Sequence, residues 1–389
     1  MKTILITGAG GFIGSHLAER LKGEGNYVIG VDIKLPEYKS GVTNEFHQID
    51  LRTDEGVEKL YTKLKHISID ELYHLAADMG GMGYVTGRDA QMFQNSGRIT
   101  LNVIQFAERK AVKGFLFTSS ACRYPEDIQM EGSVKLSEDL AFPANPQDGY
   151  GWEKIMGELL CKYYKENFGL NTKVSVFHNI YGEKGTFDGG KEKAPAALCR
   201  KVAKAKNGDE IEVWGDGTQL RSFCHVDDAV EGLIRLMGTD VEGAVNIGSD
   251  EEITIKDFTQ MIIDISGKDL KIKYVDGAIG VSSRNSNNTK AEKVLGFKPK
   301  VELRDGMERT YKWIDEQVNG SKFKAILIEG AEVEDENTTY HIIEQQLDHA
   351  KEREMKNRGF WLAERRDDRS IYMHHSKFKK PEDILKNNN

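Results

Sequence analysis

Cysteine and proline are scarce in this chain, with four and seven residues among 389. Cys122, Cys161, Cys199 and Cys224 form no C-x-x-C pair, which argues against a zinc cluster or a disulfide framework, so no metal is expected. No apolar run approaches the roughly 20 residues a membrane span needs. Met1 leads straight into a β-rich segment, without the charged and apolar regions of a signal peptide. Excess positive charge is missing as well. The 54 Lys and Arg against 62 Asp and Glu leave a net charge of −8, which excludes broad contact with nucleic acid or an anionic membrane. A local basic pocket for a phosphate remains compatible with it. These absences predict a soluble cytoplasmic protein, and the length suits one large or two ordinary domains.

What is present is a regular alternation. Lys2–Thr7 reads as a strand, followed by Gly8-Ala9-Gly10-Gly11-Phe12-Ile13-Gly14 and a helical pattern over Ser15–Lys22. A second strand, Tyr27–Val31, ends at Asp32. In a strand–turn–helix–strand unit, glycines let the backbone approach a pyrophosphate held at the helix N-terminus. The terminal carboxylate accepts from a ribose 2′-OH and repels a 2′-phosphate. NAD is therefore expected over NADP. Glu45–Ile49 reads as a third strand, with Asp50 at its end within reach of the adenine. A fourth, Glu71–Ala76, runs into Ala77-Asp78-Met79-Gly80-Gly81-Met82-Gly83, whose glycine density marks a sharp turn or a close backbone approach. An amphipathic helix over Asn95–Lys110 feeds the next strand. Such alternation calls for a mainly parallel sheet covered on both faces.

That next strand begins at Phe115-Leu116-Phe117 and ends in Thr118-Ser119-Ser120-Ala121-Cys122. Ligands of doubly wound sheets bind beyond the carboxyl ends of the strands. A hydroxyl and a thiol two residues apart at that tip would face the reactive end of a cofactor. Tyr150 and Lys154 open a further helix after a Pro- and Asn-containing loop, Ser137–Asp148. Four residues apart, they share one helix face. The ammonium, with a positive nicotinamide nearby, should lower the phenol's pKa and make Tyr150 a general base. Beyond the strand Thr172–His178 the order is less regular. Arg200, Lys201, Arg221 and Arg284 are either solvated surface or a clamp on a diphosphate, and spacing alone does not decide.

The segments TGAGGFIGSHLAERLK, LAADMGGMG, SSACRYPE, PQDGYGWEK, FHNIYG, GGKEKAPAALCRK, WGDGTQLRSF, VNIGSDE and RNSNN run in order from Lys2 to about Gln317. With them the chain resembles the extended short-chain dehydrogenase/reductases that act on nucleotide sugars (NAD-dependent epimerases and dehydratases). The Gly8, Gly11, Gly14 spacing and the Tyr/Lys pair mark only the superfamily; the Ser-Ser-Ala-Cys and Glu-Lys-Ala-Pro segments are sharper. The resemblance implies an α/β fold, a Rossmann-type doubly wound parallel sheet with a smaller C-terminal α/β substrate part and an extra C-terminal extension. It divides the chain into a cofactor domain over 1–178 (with exchange of elements to about 250), a nucleotide-sugar part over 179–318 and an extension over 319–389.

The resemblance further implies NAD at Gly8, Gly11, Phe12, Ile13, Gly14, Asp32, Asp50, Leu51, Ala76, Ala77, Tyr150 and Lys154. Around a GDP-sugar it implies Gly80, Gly81, Ser120, Ala121, Cys122, Asn179, Glu192, Lys193, Ala194, Lys201, Gln219, Leu220, Arg221 and Arg284. Dehydratases of the family carry Thr-Asp-Glu at the strand tip. Here Ser120-Ala121-Cys122 occupies the slot, and Cys122 with Lys193 is implied as an acid/base pair at the ring carbons beside a keto group. The implied activity is epimerisation of GDP-mannose at C3 and C5 through a transient 4-keto sugar, with Ser120, Cys122, Tyr150, Lys154 and Lys193 catalytic and a homodimer built on the Asn95–Lys110 and Tyr150–Phe168 helices. Another nucleotide-sugar epimerase or dehydratase, or an NAD-sensing protein without catalysis, are the alternatives. Two departures bear on the substrate. Arg123 follows the cysteine, where its guanidinium would favour thiolate, and Glu183-Lys184 replaces a Pro-Phe step. After Gln317 the resemblance stops. Phe323–Ile328 reads as β-like, Tyr340–Arg358 as an amphipathic helix with Ile342, Ile343 and Leu347 on one stripe, and Lys386–Asn389 as a disordered end.

Overall fold

Three consecutive fully buried aliphatic residues, Ile4, Leu5 and Ile6, set the architecture. A strand so apolar must be covered on both faces, which is the signature of a parallel sheet between helical layers. The computed structural model describes residues 1–319 apart from 40, 131, 278 and 279, together with the strands Lys324–Ala325, Glu332–Asp335, Thr338–His341, Gln345–Gln346, Phe360–Arg366 and Arg369–His374. Its centre is a seven-stranded sheet of β1 (Thr3–Thr7), β2 (Tyr27–Asp32), β3 (Glu45–Gln48), β4 (Glu71–His74), β5 (Gly114–Ser120), β6 (Thr172–Phe177) and β7 (Ala244–Ile247). Every neighbouring pair is parallel, in the order β7-β6-β5-β4-β1-β2-β3. The order reverses between β1 and β4, so the crevice beyond Thr7 and His74 is where a ligand of such a sheet belongs.

Alternate residues of each strand feed opposite layers. Ile4, Ile6, Val28 and Leu116 pack with Leu17, Ala18 and Leu21 of α1 (Phe12–Gly23) and with residues 229–237. Leu5, Ile29, Phe115 and Phe117 face Val57 and Leu60 of α2 (Asp54–Lys63) and Val103, Ile104 and Phe106 of α3 (Asp89–Arg109). Truncating a residue such as Phe117 to Ala would cost about 3–5 kcal/mol. On the same face, α4 (Gly149–Phe168) starts at Asp148, whose carboxylate accepts from Gly151 N at 2.8 Å, and stops at Gly169 with a left-handed φ of 71°. A carboxylate at that N-terminus also complements the helix dipole.

A smaller four-stranded sheet places Leu220–Ser222 between Glu252–Thr254 and Ser283–Ser286, with Lys135–Leu136 at its edge. Its parallel central pair sets Arg221 directly opposite Arg284. Residues Met1–Asp315 form one compact unit and Glu316–Asn389 a second. In the second unit, Phe360–Arg366 and Arg369–His374 pair as an antiparallel hairpin, as do Glu332–Asp335 and Thr338–His341.

Several sequence-based boundaries shift. α1 begins at Phe12 instead of Ser15, because the Gly11 carbonyl already accepts from Ser15 N at 3.0 Å. α3 begins six residues early, at Asp89, and β4 ends at His74, two residues short of Ala76. The expected helix over Tyr340–Arg358 does not form at its start. Thr338–His341 and Gln345–Gln346 are strands, as suits the β-branched and aromatic Thr-Thr-Tyr run. Ile342, Ile343 and residues 347–358 lie outside the described residues, as do 386–389 and all of the β-like run except Lys324–Ala325.

Candidate functional site

Backbone alone builds the first part of the site. Between β1 and α1 the chain folds so tightly that a Cβ on Gly14 would lie 2.1 Å from the Gly8 carbonyl oxygen, and one on Gly10 would lie 2.1 Å from that of Lys34. Gly11 completes the turn by donating to the Gly8 carbonyl at 3.0 Å, and the half-buried Phe12 and Ile13 open the helix. Asp32, at the end of β2, accepts from Gly10 N at 3.0 Å and from Lys34 N at 3.1 Å. Burial pushes its pKa above the ordinary carboxylate value, against the pull of these amides. A carboxylate has about four acceptor positions, so capacity remains for a ribose hydroxyl. A bare glycine backbone at a helix N-terminus beside an acidic strand end fits the pyrophosphate and ribose of a dinucleotide.

The other implied cofactor residues flank that turn. Leu51 is buried, while Asp50 is held bidentate by Arg52 at 2.9 and 2.6 Å. Ala76 and Ala77 follow β4, with Ala76 N donating to the Thr7 hydroxyl at 3.4 Å. On α4, Gly151 lets the helix press onto the strand tip, since a Cβ there would come within 2.2 Å of the Cys122 carbonyl oxygen. That contact sets Tyr150 against the tip, where its phenol hydrogen-bonds the Ser120 side chain. Ser120 also accepts from Cys122 N at 3.3 Å, starting the short turn Ala121–Arg123.

In the protein alone the tyrosine departs from expectation. Its pKa is pushed well up, first by burial, then by Cys122 and Glu153. Lys154 does lie near, with its ammonium 5.2 Å from the centre of the Tyr150 ring, but it is paired at 3.1 Å with the buried Glu153 carboxylate. The negative partner offsets the field that was to favour phenolate.

The second part of the site is built from distant side chains. Arg284 Nη1 donates to the Cys122 sulfur at 3.2 Å, and its Nε donates to Gln129 Oε1 at 2.7 Å. Arg221, the cross-strand neighbour of Arg284, donates to the carbonyls of Leu220 and Val281 at 2.7 Å each. Burial, followed by Arg284, pushes its pKa down to about 10. Lys193 precedes α5 (Ala194–Lys204) and is lowered first by burial, then raised by Cys122 and lowered by Arg284. The residue as a whole is exposed, while its ammonium is surrounded by protein. One thiol thus sits among three cations. Like charges set side by side are unfavourable, so the cluster suits an anionic ligand such as a diphosphate.

The segment bearing Lys193 is clipped in place. Gly81 N donates to the Lys191 carbonyl at 3.1 Å, and Lys191 Nζ reaches Asp78 at 3.3 Å. Glu192 accepts from Arg200 at 2.6 Å and from Gly190 N at 2.7 Å. Gly81 therefore lies against the backbone of Glu192 and Lys193, Gly80 lies against the Tyr84 side chain, Ala194 opens α5 just beyond, and Ala121 is buried beneath the tip. Asn179, in a left-handed conformation at φ 45°, donates to the Ser222 carbonyl at 2.8 Å. Gln219 reaches Asp216 at 3.3 Å, and Lys201 turns to the Glu212 carbonyl at 2.7 Å with no bond to the thiol cluster.

Both departures resolve away from the thiol. Arg123 is 2% exposed and ion-paired at 2.9 Å with Glu158, with its guanidinium over the Tyr124 ring, so it is not the charge beside Cys122. Arg284 is. Glu183 bonds His225 at 3.0 Å and Arg309 at 2.8 Å; burial would raise its pKa, but these partners bring it down to about 2. Spacing in the sequence gave no signal for Gln129 as the acceptor that orients Arg284, or for Glu153 beneath Lys154.

A parallel doubly wound sheet with a glycine turn, an acidic β2 end and a Ser/Tyr/Lys group defines a Rossmann-type, dinucleotide-dependent enzyme. The chain belongs to the NAD dependent epimerase/dehydratase family, which matches residues 4–248, and NAD is the cofactor of that family. It is 45% identical over 329 residues to GDP-mannose 3,5-epimerase 1 of Oryza sativa subsp. indica, covering 84% of this chain and 85% of that one. The GDP-mannose 3,5-epimerase of Arabidopsis thaliana is 44% identical over 324 residues, covering 82% and 84%. Among solved structures, UDP-glucuronic acid 4-epimerase from Bacillus cereus, in complex with UDP-glucuronic acid and NAD, superposes with a TM-score of 0.68 at 29% identity, covering 81% of this chain and 99% of that one. Among the described residues no helix is long and apolar enough to cross a membrane.

Proposed function

We propose that the chain is a GDP-mannose 3,5-epimerase, converting GDP-mannose to GDP-L-galactose, GDP-L-gulose or both through a 4-keto sugar. The observation that carries the reading is the Lys193 ammonium within electrostatic reach of the Cys122 thiol beyond the tip of β5, in a chain 45% identical to a relative of that name. Bound at the glycine turn, NAD supplies oxidation at C4 of the sugar and, at the end, the reverse reduction. Tyr150 takes the C4 hydroxyl proton, and Ser120, already bonded to the phenol, steadies the oxygen as charge develops. Lys154 places positive charge beneath the tyrosine ring.

A keto group at C4 acidifies the protons at C3 and C5, because the enolate spreads charge onto oxygen. Cys122 and Lys193 then remove and return a proton on opposite faces of the ring, which inverts the carbon. Lowering of the Lys193 pKa brings its neutral, basic form nearer physiological pH. Arg221 and Arg284 hold the diphosphate or the sugar close to the thiol. The same reading gives 1–178 to the cofactor, 179–318 to the nucleotide sugar and 319–389 to an appended segment.

Incubation with GDP-mannose in D2O tests it. L-galactose- or L-gulose-configured product with deuterium at C5, or at C3 and C5, is expected. Loss of water instead would point to dehydration, and unchanged GDP-mannose would remove the assignment.

A homodimer is part of the proposal. Phe93 of α3 with Trp152, Ile155, Met156, Leu159 and Tyr163 of α4 line an apolar surface groove of about 520 Å³, which a second copy would cover. Light scattering should give twice the chain mass, and Tyr163→Glu should halve it. A cytoplasmic location accords with four free thiols.

A further inference from the structure

A chain of buried polar groups runs beneath the Tyr150–Lys154 pair, and the proposed mechanism uses none of its members except Lys154. Thr7 Oγ1 lies 2.7 Å from His74 Nδ1, and His74 Nε2 lies 3.4 Å from Thr100 Oγ1. Thr100 donates to Glu153 Oε1 at 3.0 Å, and Glu153 Oε2 lies 3.1 Å from Lys154 Nζ. These residues come from β1, β4, α3 and α4, and none is more than 3% exposed.

The chain has one consistent direction. A carboxylate only accepts, so the Thr100 hydroxyl spends its single proton on Glu153 and must accept from His74 Nε2–H. Burial, followed by Lys154, pushes His74 down to about 3, so the ring is neutral with one N–H. Its Nδ1 therefore accepts from the Thr7 hydroxyl, which in turn accepts from Ala76 N–H at 3.4 Å. Glu153 at one end thus fixes the tautomer and the hydroxyl rotors of all the rest.

An ion pair this deeply buried contributes little stability over apolar residues of the same shape, although removing one partner is costly. Its worth must lie in what it does to its neighbours. Tyr150 is faced by Cys122 and Ser120 from the β5 tip, by Asp148 from the helix N-cap, and by Glu153 and Lys154 from its own helix. Of these, only Glu153 both touches Lys154 and acts on the phenol.

We propose that Glu153 is a positioning residue that pairs by charge with the Lys154 ammonium and screens it from Tyr150, with Thr100 and His74 fixing the carboxylate. The proposal rests on the reading of Tyr150 as the acceptor of the C4 hydroxyl proton. In the free protein burial and Cys122 hold the phenol protonated, and Glu153 adds to them. Discharge of Glu153 exposes the full ammonium charge to the phenol and removes a negative one.

Tyrosine labelled with ¹³C at Cζ, titrated in the NAD-bound enzyme with Tyr150→Phe marking the signal, reads the effect directly. Glu153→Gln should move phenolate formation at Tyr150 down by about one pH unit or more, roughly a tenfold change in the equilibrium. Glu153→Asp should restore most of the wild-type titration, which a role in packing alone would not do. An unmoved Tyr150 signal in Glu153→Gln overturns the proposal. Should that variant fail to fold, ¹⁵N NMR of His74 in the wild type decides: the Nε2–H tautomer is required, and Nδ1–H contradicts the chain. Failure of the epimerase reading would look different, as absent exchange on GDP-mannose with the Tyr150 shift intact.

Discussion

The glycine turn and the side chains around the Cys122 thiol are two halves of the proposed site, built by opposite means. The turn is backbone, and its parts lie within residues 8–14, with Asp32 one strand away. Its shape follows from what the glycines lack. The thiol half is made of side chains, and Cys122 and Arg284, which touch, are separated by 162 positions. A local backbone motif tolerates no added atom, whereas a side-chain group assembled by tertiary packing tolerates substitution and changes its chemistry.

Two arginines sharpen that contrast. Arg123 is adjacent to Cys122 in sequence but serves the interior, while Arg284 is remote in sequence and serves the thiol. Replacing Arg123 by Met would leave the buried Glu158 with its Ser119 hydrogen bond and the field of Lys154 but without its ion-pair partner. That should cost about 3–5 kcal/mol of stability in urea unfolding, while proton exchange in the surviving folded protein stays near wild type. Arg284→Met should do the reverse. The loss of a charged donor should raise the barrier read from kcat/KM by about 1.5–3 kcal/mol, with a smaller loss of stability than Arg123→Met, because the Gln129 oxygen left unpaired is neutral. If both variants lost stability alike, the two-region account would be wrong.

The backbone half is tested by Gly14→Ala. Its new methyl meets a carbonyl oxygen at 2.1 Å, so the turn must open, at a cost of about 1–3 kcal/mol. Cofactor retention measured by fluorescence should fall with it, and undiminished NAD binding would show the turn to be slack.

The smallest effect is expected at Arg309→Met, because that side chain is 46% exposed. At neutral pH about 0.5 kcal/mol is at stake. Glu183, its partner, titrates near 2 in the folded protein, below the ordinary glutamate value of about 4.3. Its contribution is therefore present above roughly 4.3 and is lost as pH falls towards the folded value. Arg309→Met should begin acid unfolding at a higher pH than the parent, as followed by circular dichroism.

The same contrast explains what was legible in the sequence. The β1–turn–α1–β2 unit could be read almost residue by residue, because glycine spacing and apolar runs are local signals. Tyr150 and Lys154 were legible as a helix-face pair. The partner of Lys154 was not, although Glu153 stands next to it, because nothing local says that a carboxylate is buried. Adjacency was misleading at Arg123. The arginine beside the thiol comes from register in the small sheet, where Arg221 pairs with Arg284, and no spacing rule reports it. Where the expected helix over Tyr340–Arg358 begins, the cause is related, since the strand preference of Thr338-Thr339-Tyr340 prevails there.

The central claim is that Cys122 and Lys193 exchange ring protons on opposite faces of one oxidised sugar. Proton NMR of GDP-mannose in D2O, comparing the wild type with Cys122→Ala and Lys193→Met, tests it most directly. Deuterium should enter at C5, or at C3 and C5, with the wild type. In each variant it should slow by about 10²–10⁴-fold, with NAD still bound. Exchange at the wild-type rate in Cys122→Ala would contradict the account.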